Sequence, residues 1–136
     1  MGGALERAKI LIIDKADDTR EAMAYIFEKK GFLVATARSG KEALAMVPQE
    51  NPDIIIFNII FSEIDAFETG RHLRENAATR DIPIIFLSAG KDLRGLIYRL
   101  PRKKVKYMEK PCKIMALIKQ VNKMVALSGH SPPATA

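Results

Sequence analysis

Short apolar runs alternate with amphipathic stretches through most of this chain. Lys9 to Asp14 (Lys-Ile-Leu-Ile-Ile-Asp) is almost continuously apolar and stops at an acid. Ile54 to Phe57 forms a second such run, opened by Pro52-Asp53 and stopped at the single polar residue Asn58. Pro83-Ile84-Ile85-Phe86-Leu87 ends at Ser88. Phe32 to Thr36 is a shorter run, and Val105 to Glu109, followed by Lys110-Pro111, is the weakest. Runs this short, with no polar alternation, predict strands covered on both faces, as in parallel sheets.

Between the runs the apolar period changes from continuous to helical. Asp17 or Asp18 is the expected N-cap of a helix carrying Met23, Ile26 and Phe27, which Lys29-Lys30-Gly31 should end. Ser39-Gly40-Lys41-Glu42 opens a second helix with Ala43, Leu44 and Val47 inward, which Pro48 should close. From Asp65 to Glu75 the residues Phe67, Gly70 and Leu73 share a face, with Arg71 and Arg74 expected outward. Leu93, Leu96, Ile97 and Leu100 suggest a fourth helix, and Ile114, Leu117, Ile118, Val121 and Val125 a long fifth one. Five strands alternating with five helices predict an α/β fold, a doubly wound five-stranded parallel sheet in a single domain. That domain is expected over residues 8–127, after an N-terminal extension of residues 1–7 and before a polar, proline-containing, disordered tail at 128–136.

Composition narrows the class without fixing the function. A length of 136 residues suits one domain. No apolar run approaches the ~20 residues of a membrane span, and the start lacks a secretory signal. The single cysteine, Cys112, excludes an internal disulfide and reads as a packing residue, and His72 and His130 have no ligand spacing. A cytoplasmic location is the expectation. The net charge of +6 is densest at Arg99, Arg102, Lys103, Lys104 and Lys106. With few aromatics among them, these read as a solvated basic loop first, a docking patch for an acidic partner second, and a nucleic-acid contact last.

In open α/β folds ligands gather beyond the carboxyl ends of the strands. Those ends carry, in order, Asp14-Lys15, Asn58, Ser88 and Lys110-Pro111. Together with Ile-Leu-Ile-Ile-Asp, Pro-Asp-Ile-Ile-Ile-Phe-Asn, Pro-Ile-Ile-Phe-Leu-Ser-Ala and Tyr-Met-Glu-Lys-Pro, they make the chain resemble the CheY-like, flavodoxin-like receiver domain of two-component response regulators. The resemblance implies a (βα)5 fold and a phosphorelay context. In that family an acidic pair after the first strand helps hold Mg²⁺ and an aspartate after the third accepts a phosphoryl group. A Ser or Thr and a Lys contact the phosphoryl oxygens. Carried over, Asp14 matches one member of the acidic pair, Ser88 the hydroxyl, Lys110 the lysine, and Tyr107 the aromatic that often switches rotamer.

Two positions depart from the family pattern. Lys15 stands in place of the second acid and Asn58 in place of the phosphoacceptor, while Ser62 and Ala66 replace a usual proline and glycine in the loop that follows. An amide oxygen is a poor nucleophile for phosphorus, and Mg²⁺ needs anionic oxygen ligands. The family set of three acids and one lysine carries a formal −2, whereas Asp14, Lys15, Asn58 and Lys110 sum to +1. The pattern therefore points to a pseudo-receiver, with no catalytic residue, no metal and no cofactor expected, in which Lys15 rests against Asp14 or the Asn58 carbonyl. Such a domain would act by protein–protein contact with a histidine kinase or downstream effector. The face implied by the family comprises Leu96, Arg99, Lys103, Lys106 and Tyr107, and would also serve a homodimer. The alternatives are a receiver that uses another acid, such as Asp14 or Asp17, and an engineered form of a parent with Asp at position 58.

Overall fold

The computed structural model describes residues 7–60, 63–89 and 99–127. Five strands form one parallel sheet: β1 (Lys9–Asp14), β2 (Leu33–Ala37), β3 (Ile54–Ile59), β4 (Ile84–Ser88) and β5 (Val105–Glu109). Their order is β2-β1-β3-β4-β5, so the winding reverses between β1 and β3. Four helices are present among the described residues: α1 (Asp17–Lys29), α2 (Gly40–Glu50), α3 (Glu63–Glu75) and α4 (Ile114–Leu127). The helix expected around Leu93, Leu96 and Ile97 lies outside the described residues. Leu100, expected on its apolar side, is buried.

Strand alternation sorts the core into two halves. Ile10, Ile12, Ile54, Ile56, Ile85 and Leu87 pack with Phe27 of α1 and Leu117, Val121 and Val125 of α4. Leu11, Ile13, Ile55, Phe57, Ile84 and Phe86 pack with Ala43 and Val47 of α2 and Leu73 of α3. The isoleucine runs are continuous because both faces of β1, β3 and β4 are covered. Each fully buried side chain of this size contributes roughly 1.5–3 kcal/mol relative to leaving it in water. At the opposite end of the sheet Asp53 sets the register, with Oδ2 accepting the Lys9 N–H (2.7 Å) and its own N–H reaching the Lys9 carbonyl (2.8 Å).

Several local expectations are corrected. β3 runs past Asn58 to Ile59, and β2 begins at Leu33 rather than Phe32. The N-cap of α1 is Ala16, whose side chain cannot cap; Asp17 and Asp18 sit in the first helical turn instead. The carboxylate at that helix start is Asp14, which accepts the Ala16 N–H. Pro48 lies inside α2 rather than closing it. A proline so near the end forfeits one late rung of the ladder, and Asn51 supplies the actual stop in the left-handed region (φ 48°), its N–H bonded to the Val47 carbonyl. Ser39 caps the start of α2 by accepting from the Glu42 N–H. Arg74 is not an outward residue: its side chain runs into the protein, and Nε and Nη1 are buried without a hydrogen-bond partner among the described residues.

Candidate functional site

The reversal between β1 and β3 brings Asp14 and Asn58 together. They are partners in the β1–β3 register, so both side chains project from the same face at the same height. Asp14 is fully buried. A carboxylate there requires donors, and it has three. Oδ1 accepts the Ala16 N–H (2.9 Å), while Oδ2 accepts the Thr19 hydroxyl (2.6 Å) and the Asn58 amide Nδ2 (3.0 Å).

The other end of the Asn58 amide faces Lys110. The Lys110 ammonium donates to Asn58 Oδ1 at 2.7 Å and to the Ile59 carbonyl at 3.0 Å. The amide orientation follows from chemistry: an ammonium can only donate and a carboxylate can only accept. Asn58 is thus a neutral coupler between a buried anion and a half-buried cation. Burial pushes the Lys110 ammonium below its ordinary 10.5, and the Asp14 charge opposes that shift.

The remaining expected residues are placed as follows. Ser88 ends β4 beside Ile59, and its carbonyl accepts the Lys110 N–H (2.9 Å), which fixes the start of the Lys110-Pro111 segment. Tyr107 is half-buried, its ring stacked on Phe86 with centroids 5.7 Å apart and planes 15° from parallel. Lys15 is exposed, and the donor on the Asn58 carbonyl is Lys110. Arg99, Lys103 and Lys106 are exposed; Leu96 lies outside the described residues. Cys112 packs against the core on the α1–α4 side, and His72 is exposed.

Two residues of this network escaped the sequence reading. Thr19 supplies one of the three Asp14 donors, and the buried Arg20 gives Nη1 to the Asp14 carbonyl (2.9 Å) and Nη2 to the Asp17 carboxylate (2.6 Å). The Arg20 hydrogen bond holds the exposed Asp17 carboxyl below its usual range. The only signal for either was the Asp17–Arg20 spacing of three along a helix.

This fold and strand-end site can be set beside known proteins. The family model described as "Response regulator receiver domain" matches residues 10–122. The chain belongs to that family. Among curated receivers, it is 27% identical to Protein PilH of Pseudomonas aeruginosa over 119 residues, covering 88% of this chain and 98% of PilH. It is 32% identical to the transcriptional regulatory protein AfsQ1 of Streptomyces coelicolor over 102 residues, 75% of this chain but only 44% of AfsQ1. Among solved structures, the signal receiver domain of a signal transduction histidine kinase from Syntrophus aciditrophicus superposes with a TM-score of 0.79 at 26% identity, covering 95% of this chain and 98% of that one. This chain is therefore a receiver domain of two-component signalling. Among its described residues no helix is long and apolar enough to cross a membrane.

Proposed function

We propose that this receiver signals by protein–protein contact without accepting a phosphoryl group, and that it is not an enzyme. The observation that carries this reading is the Asn58 amide hydrogen-bonded on one side to Asp14 and on the other to Lys110. A phosphoacceptor needs a charged oxygen free to attack phosphorus. Here the oxygen at that position is neutral and lies under an ammonium.

The donor set does not fit Mg²⁺, which takes anionic oxygens in octahedral geometry. Asp14 is the one carboxylate of the mapped positions, and its two oxygens accept three hydrogen bonds. Among the described residues no group of three or more His, Cys, Asp or Glu could hold a metal. The network takes the place of a cation with fixed dipoles and the Lys110 charge. A kinase or effector partner would meet the exposed Arg99, Lys103 and Lys106 beside Tyr107, a basic surface suited to an acidic partner. A cytoplasmic setting accords with such a partner.

Intact-protein mass after incubation with acetyl phosphate and Mg²⁺ tests the reading. No added phosphoryl mass is expected on this chain, with addition restored in the Asn58→Asp, Lys15→Asp double variant. A labile adduct on the unaltered chain would assign the chemistry to another acid and overturn the proposal.

A further inference from the structure

Among the described helices, α1 and α4 alone cover one face of the sheet, where Phe27 meets Leu117, Val121 and Val125. Each returns antiparallel to the strand before it, so the two run side by side in the same direction. Their outer faces carry opposite charge. α1 exposes Asp18, Glu21 and Glu28, whereas α4 exposes Lys119 and Lys123 and contains no acid. None of these five side chains is ion-paired among the described residues. The same two helices also show large side chains to solvent, Tyr25 and Met115, each 61% exposed.

We propose that this two-helix face is the contact between two copies of the chain, related by a two-fold axis that sets α1 of one copy against α4 of the other. Both helices start from the same end of the sheet, so such an axis makes each facing pair antiparallel. Glu21 then falls opposite the partner's Lys123, and Tyr25 and Glu28 fall opposite the turns of the partner's Met115 and Lys119. A two-fold contact makes every such pairing twice. A polyanion seated on α4 would instead be repelled by the α1 acids, and a basic partner on α1 by the α4 lysines. Helices of 13 and 14 residues give a face about 20 Å long. That is small for a permanent interface, so the dimer belongs to the weak, transient class, with a micromolar dissociation constant.

Dimerisation through this face does not depend on whether position 58 accepts a phosphoryl group. Sedimentation velocity of the full chain, over a micromolar to millimolar series, tests it. A concentration-dependent dimer is expected, weakened several-fold at high salt, where exposed charges are screened. Glu21→Lys and Lys123→Glu should each weaken it at least tenfold, because the two-fold places two like-charge pairs in either variant. Mixing the two single variants in equal amounts should restore the dimer, since every pair across the contact is then Lys with Glu. Both variants should keep the unfolding midpoint of the unaltered chain, as surface changes usually do. The proposal fails if the unaltered chain stays monomeric across the series, if the dimer survives either reversal, or if the mixture remains monomeric.

Discussion

The Asn58 amide donates Nδ2 to Asp14 Oδ2 at 3.0 Å, at the position where a phosphoaccepting relative would carry a second carboxylate. Replacing Asn58 by Asp exchanges that donor for a like charge while keeping the Lys110 contact. Two carboxylates this close repel each other, and the Lys110 ammonium, bonded to position 58 and not to Asp14, offsets that repulsion only in part. We expect Asn58→Asp alone to lower stability by about 1–2 kcal/mol near neutral pH, within the ordinary range for point changes. The deficit should shrink on acidification, as the pair comes to share a proton. Mg²⁺ should restore stability in the Asn58→Asp, Lys15→Asp double variant and not in the unaltered chain. Urea unfolding with and without Mg²⁺ measures both effects.

Thr19 bonds the same Asp14 oxygen at 2.6 Å. Thr19→Val keeps the shape and removes the hydroxyl, leaving a fully buried carboxylate with one donor fewer. A loss of about 1–3 kcal/mol is expected, the cost of under-satisfying a buried charge. Thr19→Ser should recover most of it. A loss for Ser with none for Val would show that the methyl packing matters, not the hydrogen bond.

The strands were legible because Ile10 to Ile13 and Ile54 to Phe57 need cover on both faces, and only a sheet between helices provides it. The pairing of Asp14 with Asn58 was legible for a related reason: each is the polar residue that ends such a run. Thr19 and Arg20 were not, because their roles depend on how the short β1–α1 connection folds back over the strand end. Arg74 was misread because helical periodicity treats a charged residue as outward. Its long side chain instead crosses under the sheet edge toward Lys104, whose carbonyl accepts Nη2 at 3.4 Å. Pro48 misled in the opposite way, as a stop signal that Asn51 makes unnecessary.

Gly40 and Thr69 fix how closely α2 approaches α3. A Cβ on Gly40 would come within 1.7 Å of the Thr69 hydroxyl and 2.8 Å of Asp65 Oδ1. Thr69 is buried and its hydroxyl already bonds the Asp65 carbonyl (2.7 Å), so it has little room to yield. Gly40→Ala should cost about 1–3 kcal/mol through overpacking. Combining it with Thr69→Ala should cost less than the sum of the two single changes. Additive losses in a thermal-unfolding cycle would contradict the contact.

Arg74 makes an opposite prediction. Burial pushes its guanidinium below its ordinary value, partly offset by Asp81 and Tyr107, and two of its nitrogens have no hydrogen-bond partner among the described residues. A buried cation held this poorly is replaced by a hydrocarbon of similar length at little cost or with a gain. Arg74→Met should leave stability unchanged or raise it by about 1 kcal/mol. A clear loss in denaturant midpoint would mean that the guanidinium is satisfied in solution.

Lys110 gives the network its pH dependence. Its folded-state value lies below 10.5, so in the window just under 10.5 the unfolded chain binds more protons than the folded one. Stability contributed through this group therefore rises with pH across that window, and the burial penalty is fully present below it. Lys110→Met should remove this rising segment. It should also leave Asn58 Oδ1 and the Ile59 carbonyl without their donor, costing about 1–3 kcal/mol at neutral pH. Unfolding free energies for both proteins, measured from neutral pH up to 10.5, separate the two effects: the offset reports the lost hydrogen bonds and the difference in slope reports the proton. Parallel curves would show that the ammonium is as well solvated in the fold as in the unfolded chain, and the coupling of Asn58 to a half-buried cation would have to be abandoned.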